Sequence, residues 1–241
     1  MLDVPLTAIG ISHHRAPLED LAAMSRHGDA VLDRLDGAGL TGTVLLSTCN
    51  RFELYLESAS FHAGLESALA AVRDALPTDQ RDVVDQFEVY VGQAAVQHLL
   101  EVASGLESMV VGEAEVIGQV REALAAAGDR ASAALHRLFH AALTTAKAVT
   151  TETALGASGR SVATIGLDLV ESRHFPLAGR RVLVVGSGAS AEIFDPVTQT
   201  FTAISATMSI PRDTPLAVPL ADGTVLVTGG YDGSGVVPRS A

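Results

Sequence analysis

The chain has 241 residues, of which 48% are hydrophobic and 18% charged, a balance typical of a globular protein with one large core or two modest ones. Its net charge of −12, with Lys147 as the sole lysine, argues against a basic surface for nucleic-acid phosphates. Its apolar runs are too short to span a membrane, and we see no secretory signal, no zinc-ligand spacing and, with one cysteine, no internal disulfide. We therefore expect a cytoplasmic protein without a metal centre.

The first ninety residues alternate between strand and helix patterns separated by glycine and proline. The predicted elements are a strand over Val4–Ser12, a helix from Leu18 to Leu35, two strands on either side of Cys49, a helix from Phe61 to Leu76 and a strand over Phe87–Val91. The order βαββαβ predicts an α+β fold built on a ferredoxin-like unit.

The stretch from Gly92 to Leu155 is almost wholly helical in pattern. Apolar residues at helical spacing predict a core-facing stripe there, formed by Val96, Leu99, Leu100 and Ala103. His98 lies near the edge of that stripe, where a lone histidine is usually a structural residue.

Cys49, the single cysteine, lies in the connection between the two predicted central strands. The apolar run 43–46 precedes it and the alternating run 52–56 follows it, which predicts a sharp turn at a sheet edge. A thiol presented there is a candidate nucleophile, and Arg51 is a candidate either for the cation that favours the thiolate or for a residue that holds an anionic substrate. A cysteine after four apolar residues is more often a small buried hydrophobe, so these residues alone leave both interpretations open.

The pattern changes after Leu177. Arg181–Gly188 is typical of the first strand and glycine turn of a dinucleotide-binding domain, and Ala191 completes the spacing G-x-G-x-x-A. No helical pattern follows, and residues 191–201 combine strand-forming residues with proline and repeated threonine. The run that begins at Val225 repeats the one that begins at Val182, 43 positions earlier, and resembles a kelch-type β-propeller repeat. About one copy is far fewer than a closed propeller needs.

Four stretches, in this order, resemble the glutamyl-tRNA reductase family. They are Gly10–Leu18, Ser47–Tyr55, Gly105–Val120 and Leu135–Lys147, within a region from about Leu6 to about Val185. The resemblance implies an oxidoreductase of tetrapyrrole (porphyrin) biosynthesis that reduces glutamyl-tRNA to glutamate-1-semialdehyde with NADPH, through a thioester on Cys49. It also implies a homodimer and a hand-over of product to glutamate-1-semialdehyde aminotransferase.

The resemblance further assigns roles to individual residues. It implies that Cys49 is the nucleophile and that His98 is an acid/base or orienting group near it. The residues implied for the glutamyl group and its ester are Thr48, Cys49, Asn50, Arg51, Ser108, Glu113, Ala114, Glu115 and Gln119. Those implied for NADPH are Gly186, Ser187, Gly188, Ala189, Ser190 and Ala191. Many family members have Pro-Gln in place of Ala114-Glu115, so a carboxylate replaces an amide. The other seven histidines are predicted to be structural or surface residues.

Three segments follow from these patterns: a catalytic domain over 1–155, a linker with the start of a dinucleotide-binding domain over 156–190, and a kelch-like β fragment over 191–241. The rest of the dinucleotide-binding domain and the family's helical dimerisation domain have no counterpart in the sequence, so reduction is expected to be impaired. The alternatives are a non-catalytic kelch-type interaction protein and an inactive hybrid fragment.

Overall fold

A computed structural model describes residues 6–113, 115–155, 162–173, 182–185, 191–195, 197–198, 200–204, 216–219 and 225–228. The chain divides into two compact units, Met1–Val162 and Ala163–Ala241, and each has β-structure of its own.

The first unit is built on a four-stranded antiparallel sheet. Its strands are β1 (Leu6–Ser12), β2 (Leu40–Ser47), β3 (Arg51–Ser58) and β4 (Glu88–Val91), in the order β2-β3-β1-β4. Its helices are α1 (Leu18–Ser25), α2 (Gly28–Leu35), α3 (Phe61–Ala75), α4 (Gln93–Ala103), α5 (Glu115–Ala127) and α6 (Ala133–Glu152), with 3₁₀ segments at Thr78–Gln86 and Gly128–Arg130. This confirms the predicted mixture of helices with an antiparallel sheet.

Strand β3 lies in the interior of the sheet, and all eight of its residues are buried. Successive side chains point to opposite faces, so Phe52, Leu54 and Leu56 enter one core while Tyr55 enters the other. Helices α1, α2 and α3 supply much of the first core, together with Ile9 and Ile11 of β1 and the 3₁₀ segment Thr78–Gln86, and α4, α5 and α6 supply most of the second. Both faces of the sheet are therefore covered, and each large apolar side chain buried there stabilises the fold by roughly 1.5–3 kcal/mol.

The single helix predicted from Leu18 to Leu35 is two helices in the structure. Helix α1 ends at Ser25 and α2 begins at Gly28. Gly28 lies against β2 so closely that a Cβ at this position would be 3.0 Å from Leu45 Cδ2. The break therefore accommodates a tertiary contact with the sheet, which the apolar spacing of the segment does not reveal.

Helix α6 begins close to β2. The hydroxyl of Ser132 accepts a hydrogen bond from the Leu135 N–H (3.1 Å), which caps α6, and it donates to Oε2 of the buried Glu57. A Cβ at Gly42 of β2 would lie 2.7 Å from Ser132 Cβ. Glycine at this position thus allows the helix to approach the sheet.

The second unit contains two small antiparallel sheets, and helix α7 (Val162–Arg173) extends into it. One sheet is the meander β5 (Val182–Val185), β6 (Ala191–Asp195) and β7 (Thr200–Ala203), and the other pairs β8 (Leu216–Pro219) with β9 (Val225–Thr228). The sequence predicts that β5 opens a dinucleotide-binding domain, whose strands are parallel, but its partner is the antiparallel β6. The kelch-like repeat stays a prediction.

Candidate active site

Cys49 lies in the turn between β2 and β3, at the predicted position. The Thr48 N–H donates to the Arg51 carbonyl (2.9 Å), and the Asn50 N–H donates to Thr48 Oγ1 (3.1 Å). The His13 N–H donates to the Asn50 carbonyl (2.9 Å) and so ties the turn to the end of β1. Cys49 itself is exposed. This excludes the interpretation of Cys49 as a buried hydrophobe and leaves its thiol accessible.

The surroundings of the thiol raise its pKa. The largest cause is partial desolvation by the protein around it, and the charge of Glu113 and, less strongly, that of Glu115 add to it. A hydrogen bond to the backbone of Cys49 acts in the opposite direction. The thiol is therefore mainly protonated at neutral pH. The sequence-based expectation that Arg51 favours the thiolate is not met in the free chain.

Arg51 is buried, with 2% of its surface exposed, and its guanidinium has two partners. Nη1 donates to Glu53 Oε1 (2.7 Å), and Nη2 donates to the Glu107 carbonyl (2.5 Å). The first contact is an ion pair between two side chains removed from water, where an unpaired charge would be costly. Arg51 therefore joins β3 to the α4–α5 loop (residues 104–113), and Glu53 balances its charge.

Glu53 is the shared acceptor of this buried network. Its Oε1 also accepts from His98 Nε2 (3.1 Å), and its Oε2 accepts from the Tyr55 hydroxyl (2.8 Å). Burial alone would raise the pKa of Glu53, but Arg51, His98 and Tyr55 outweigh it and hold that pKa below its usual value. The pKa of Tyr55 is raised well above its usual value by burial and then by Glu53. Glu53 is thus ionised at neutral pH and can only accept hydrogen bonds.

Sequence reasoning missed Glu53, although one signal was available. Arg51, Glu53 and Tyr55 alternate along β3 and therefore share one face of the sheet. On the neighbouring strand Gly10 stands opposite Glu53, and a Cβ there would lie 2.1 Å from the Phe52 carbonyl oxygen and 3.0 Å from Glu53 Cγ. The glycine of β1 thus makes room for the carboxylate on β3.

His98 is buried on α4, with 8% of its surface exposed. Its ring stacks on Tyr90 with 4.1 Å between centroids and 9° between planes. Helix α4 is held in place by the buried residues Ala95, Leu99, Val102 and Ala103. His98 reaches Arg51 through Glu53, while its action on Cys49 remains a prediction.

The α4–α5 loop carries Ser108 and is closed by two glycines. Gly105 and Gly112 have positive φ angles of 74° and 85°, and the Gly112 N–H donates to the Gly105 carbonyl (2.9 Å). Ser108 is buried next to Glu107, whose carbonyl accepts from Arg51. The loop that carries Ser108 is thereby fixed to strand β3.

The structure describes every residue predicted for the glutamyl group except Ala114. Thr48 and Asn50 form the turn around Cys49, while Glu113 and Glu115 act electrostatically on its thiol. Gln119 is half-buried on α5, which begins at Glu115, and its contact with a substrate stays a prediction.

His13 is a second residue that sequence reasoning missed, because a histidine pair next to a strand predicts only surface or structural residues. Its ring lies 4.0 Å from that of His14, whose Nε2 is 3.5 Å from Glu107 Oε2. The pKa of His13 is lowered by burial and then by the charges of His14 and Arg51. His13 therefore lies among the residues that surround the turn.

The predicted NADPH residues Gly186, Ser187, Gly188, Ala189 and Ser190 lie outside the described residues. Ala191, the sixth, is the first residue of β6 and begins a strand antiparallel to β5. A dinucleotide pyrophosphate binds at the N-terminus of a helix after such a glycine turn, whereas residues 191–195 are a strand. The strand at residues 191–195 therefore does not fit a dinucleotide cofactor.

The described part of the chain offers neither a metal site nor a membrane-spanning helix. Among those residues, no group of three or more His, Cys, Asp or Glu could hold a metal ion. No helix in the same ranges is long and apolar enough to cross a membrane.

Residues 9–153 match the family model described as Glutamyl-tRNAGlu reductase, N-terminal domain. Similar proteins include the glutamyl-tRNA reductases of Micrococcus luteus (43% identical over 196 residues, 75% of this chain and 43% of that protein) and Clavibacter michiganensis (40% over 195 residues, 77% and 44%). The solved structure of glutamyl-tRNA reductase from Methanopyrus kandleri is similar with a TM-score of 0.54 and 33% identity, covering 71% of this chain and 40% of that one. The chain spans less than half the length of these relatives.

Proposed function

Because the chain belongs to the glutamyl-tRNA reductase N-terminal domain family, we propose that its first unit catalyses acyl transfer from glutamyl-tRNA to Cys49. The observation that carries this proposal is the exposed Cys49 thiol on a hydrogen-bonded turn, directly before the buried Arg51–Glu53–His98 network. An accessible nucleophile close to charged, hydrogen-bonded side chains meets one requirement of covalent catalysis.

In the proposed step, the Cys49 thiolate attacks the ester carbonyl carbon of glutamyl-tRNA. A carbon–sulfur bond forms, the bond to the ribose oxygen of the tRNA breaks, and that oxygen takes up a proton. The glutamyl group stays on Cys49 as a thioester. Without a hydride donor, water attacks the thioester carbonyl and releases glutamate and the thiol.

The acidic residues near the thiol suggest how substrate binding starts this step. The glutamyl group brings a positive α-ammonium, and Glu113 and Glu115 are carboxylates whose charges raise the Cys49 pKa. An ammonium bound to them would offset their charge and favour the thiolate. We assign the remaining contacts with the glutamyl group and its ester to Thr48, Asn50, Arg51, Ser108, Ala114 and Gln119.

We propose the reductive half, from thioester to glutamate-1-semialdehyde for tetrapyrrole synthesis, only for a longer chain. Hydride transfer needs NADPH held against the thioester, and the strand at 191–195 does not supply a pyrophosphate site. The homodimer, the hand-over to glutamate-1-semialdehyde aminotransferase and the cytoplasmic location remain predictions.

The test is to incubate the protein with glutamyl-tRNA, with and without NADPH, and to measure released tRNA, protein-bound glutamate and aldehyde. We expect slow tRNA release in both conditions and little or no aldehyde. Cys49→Ser should abolish release, while Glu66→Gln, on the exposed side of α3, serves as the matched control and should not. Equal release by wild type and Cys49→Ser would refute the proposal.

The second candidate is a kelch-type interaction module, favoured by the antiparallel meander β5-β6-β7 and the hairpin β8-β9. It is supported if the gene continues with further units at the 43-residue spacing between Val182 and Val225, and excluded if a nucleotide-binding pattern resumes. For the first unit we also propose the ferredoxin-like arrangement, with α1 and α2 together replacing the first helix of the βαββαβ order.

A further inference from the structure

The three donors around Glu53 differ in what they can do without it. Arg51 carries a permanent charge and is almost fully buried, so loss of Glu53 leaves it with an unbalanced positive charge in the core. His98 has two ring nitrogens, only one of which carries hydrogen in the neutral ring. Which nitrogen that is depends on the partner that the ring contacts.

The contact with Glu53 settles this choice. The distance from His98 Nε2 to Glu53 Oε1 is 3.1 Å. Glu53 is ionised, because its pKa in the folded chain lies below the usual value, and an ionised carboxylate can accept hydrogen bonds but cannot donate them. Nε2 must therefore carry the hydrogen. In the neutral ring Nδ1 is then the acceptor, and the stack on Tyr90 restricts rotation of the ring away from this arrangement.

The same oxygen also fixes Arg51. Glu53 Oε1 accepts from Arg51 Nη1 at 2.7 Å, and the other terminal nitrogen of Arg51 donates to the Glu107 carbonyl. A shift of Glu53 would therefore move His98 and Arg51 together, and with Arg51 the loop that carries Ser108. A Cβ at position 10 would lie 3.0 Å from Glu53 Cγ, so glycine there leaves room for the Glu53 side chain.

We propose that Glu53 is a positioning residue of the site. Its carboxylate holds His98 with hydrogen on Nε2, which leaves Nδ1 to act at the substrate. The same carboxylate fixes the position of Arg51 relative to His98. The part that concerns substrate rests on the acyl transfer proposed above. The part that concerns the His98 ring does not.

The test combines ¹⁵N NMR of the histidine rings with single-turnover acylation by glutamyl-tRNA. The variants are Glu53→Ala, which removes the acceptor, and Glu53→Gln, whose amide oxygen can still accept from Nε2. His98→Gln identifies the His98 resonances. Glu57→Gln is the matched control, because Glu57 is also a buried glutamate on the same face of β3 but contacts Ser132.

We expect hydrogen on Nε2 of His98 in the wild type and in Glu53→Gln, and loss of that preference in Glu53→Ala. Acylation should fall by about 10²- to 10⁴-fold in Glu53→Ala, the usual contribution of a correctly protonated acid or base, and less in Glu53→Gln. Glu57→Gln should retain both the wild-type tautomer and the wild-type rate. Urea titrations of each variant separate these effects from loss of fold.

Hydrogen on Nδ1 of His98 in the wild type, or wild-type acylation by Glu53→Ala, would overturn the proposal. If Glu53→Ala does not fold, Glu53→Asp takes its place, because its side chain is one methylene shorter and withdraws the carboxylate from His98. An unchanged tautomer and an unchanged acylation rate in Glu53→Asp would likewise overturn the proposal. A wild type that releases no tRNA would refute the proposed acyl transfer, while the NMR result would still decide the contact between Glu53 and His98.

Discussion

The replacement Gly10→Ala tests how closely β1 and β3 approach at the site. The added Cβ would lie 2.1 Å from the Phe52 carbonyl oxygen and 2.6 Å from Glu53 Cα, and both distances are shorter than the 3.0 Å below which real Cβ contacts essentially never fall. Both obstructing atoms belong to the backbone of a hydrogen-bonded neighbouring strand, so no side-chain rotation relieves the clash. We expect a loss at the upper end of the range for overpacking, about 3 kcal/mol of unfolding free energy.

The matched control is Gly118→Ala on α5, where a Cβ would meet nothing within 4 Å. Alanine is the better helix former, so this variant should gain roughly 0.5–1 kcal/mol. The assay is urea unfolding followed by helical circular dichroism, which reports mainly on the helices of the first unit. A Gly10→Ala protein as stable as the wild type would refute the inference that β1 and β3 are this close.

Three further predictions concern pH and packing. Because its pKa is raised, Cys49 should react with iodoacetamide more slowly at neutral pH than a small-molecule thiol, and the rate should rise with pH. The Glu113→Gln variant should react faster than the wild type, and an equal rate would contradict the electrostatic cause. Gly42→Ala should lose about 1–3 kcal/mol in urea unfolding, because its Cβ would lie 2.8 Å from the Ser132 backbone nitrogen; no loss would contradict the contact. Because the pKa of Glu53 is lower in the folded chain, ionised Glu53 stabilises the fold fully above the ordinary glutamate pKa of about 4.3, and this contribution is lost as the pH falls through the folded pKa. The urea unfolding midpoints of the wild type and Glu53→Gln should therefore converge as the pH is lowered. A difference between the two midpoints that does not change with pH would contradict this.

The position of Cys49 could be predicted from sequence because it depends on local patterns. An apolar run, a short connection and an alternating run specify two adjacent strands and the turn between them, whatever the rest of the chain does. The state of its thiol could not be predicted, because the carboxylate of Glu113 approaches it from a distant loop. Arg51 is adjacent in sequence but has its partner in Glu53.

The burial of Glu53 and His98 lay beyond sequence patterns for a related reason. Alternation of Arg51, Glu53 and Tyr55 with apolar residues predicts a strand with one face in water. In the structure helices α4, α5 and α6 cover that face, and their placement depends on packing between segments far apart in the chain. The same limit explains why the break between α1 and α2 at Gly28 was not predicted.

All the described residues of the candidate site lie in the first unit, between β1 and α5. Under the acyl transfer proposed above, breaking the bond between glutamate and its tRNA uses residues of this unit alone, whereas reduction of the thioester to an aldehyde needs a hydride donor. A polypeptide with the first capability alone would return aminoacylated tRNA to free tRNA and glutamate. In a cell such a polypeptide would therefore lower the concentration of glutamyl-tRNA available to the ribosome, and the decrease would depend on its expression level.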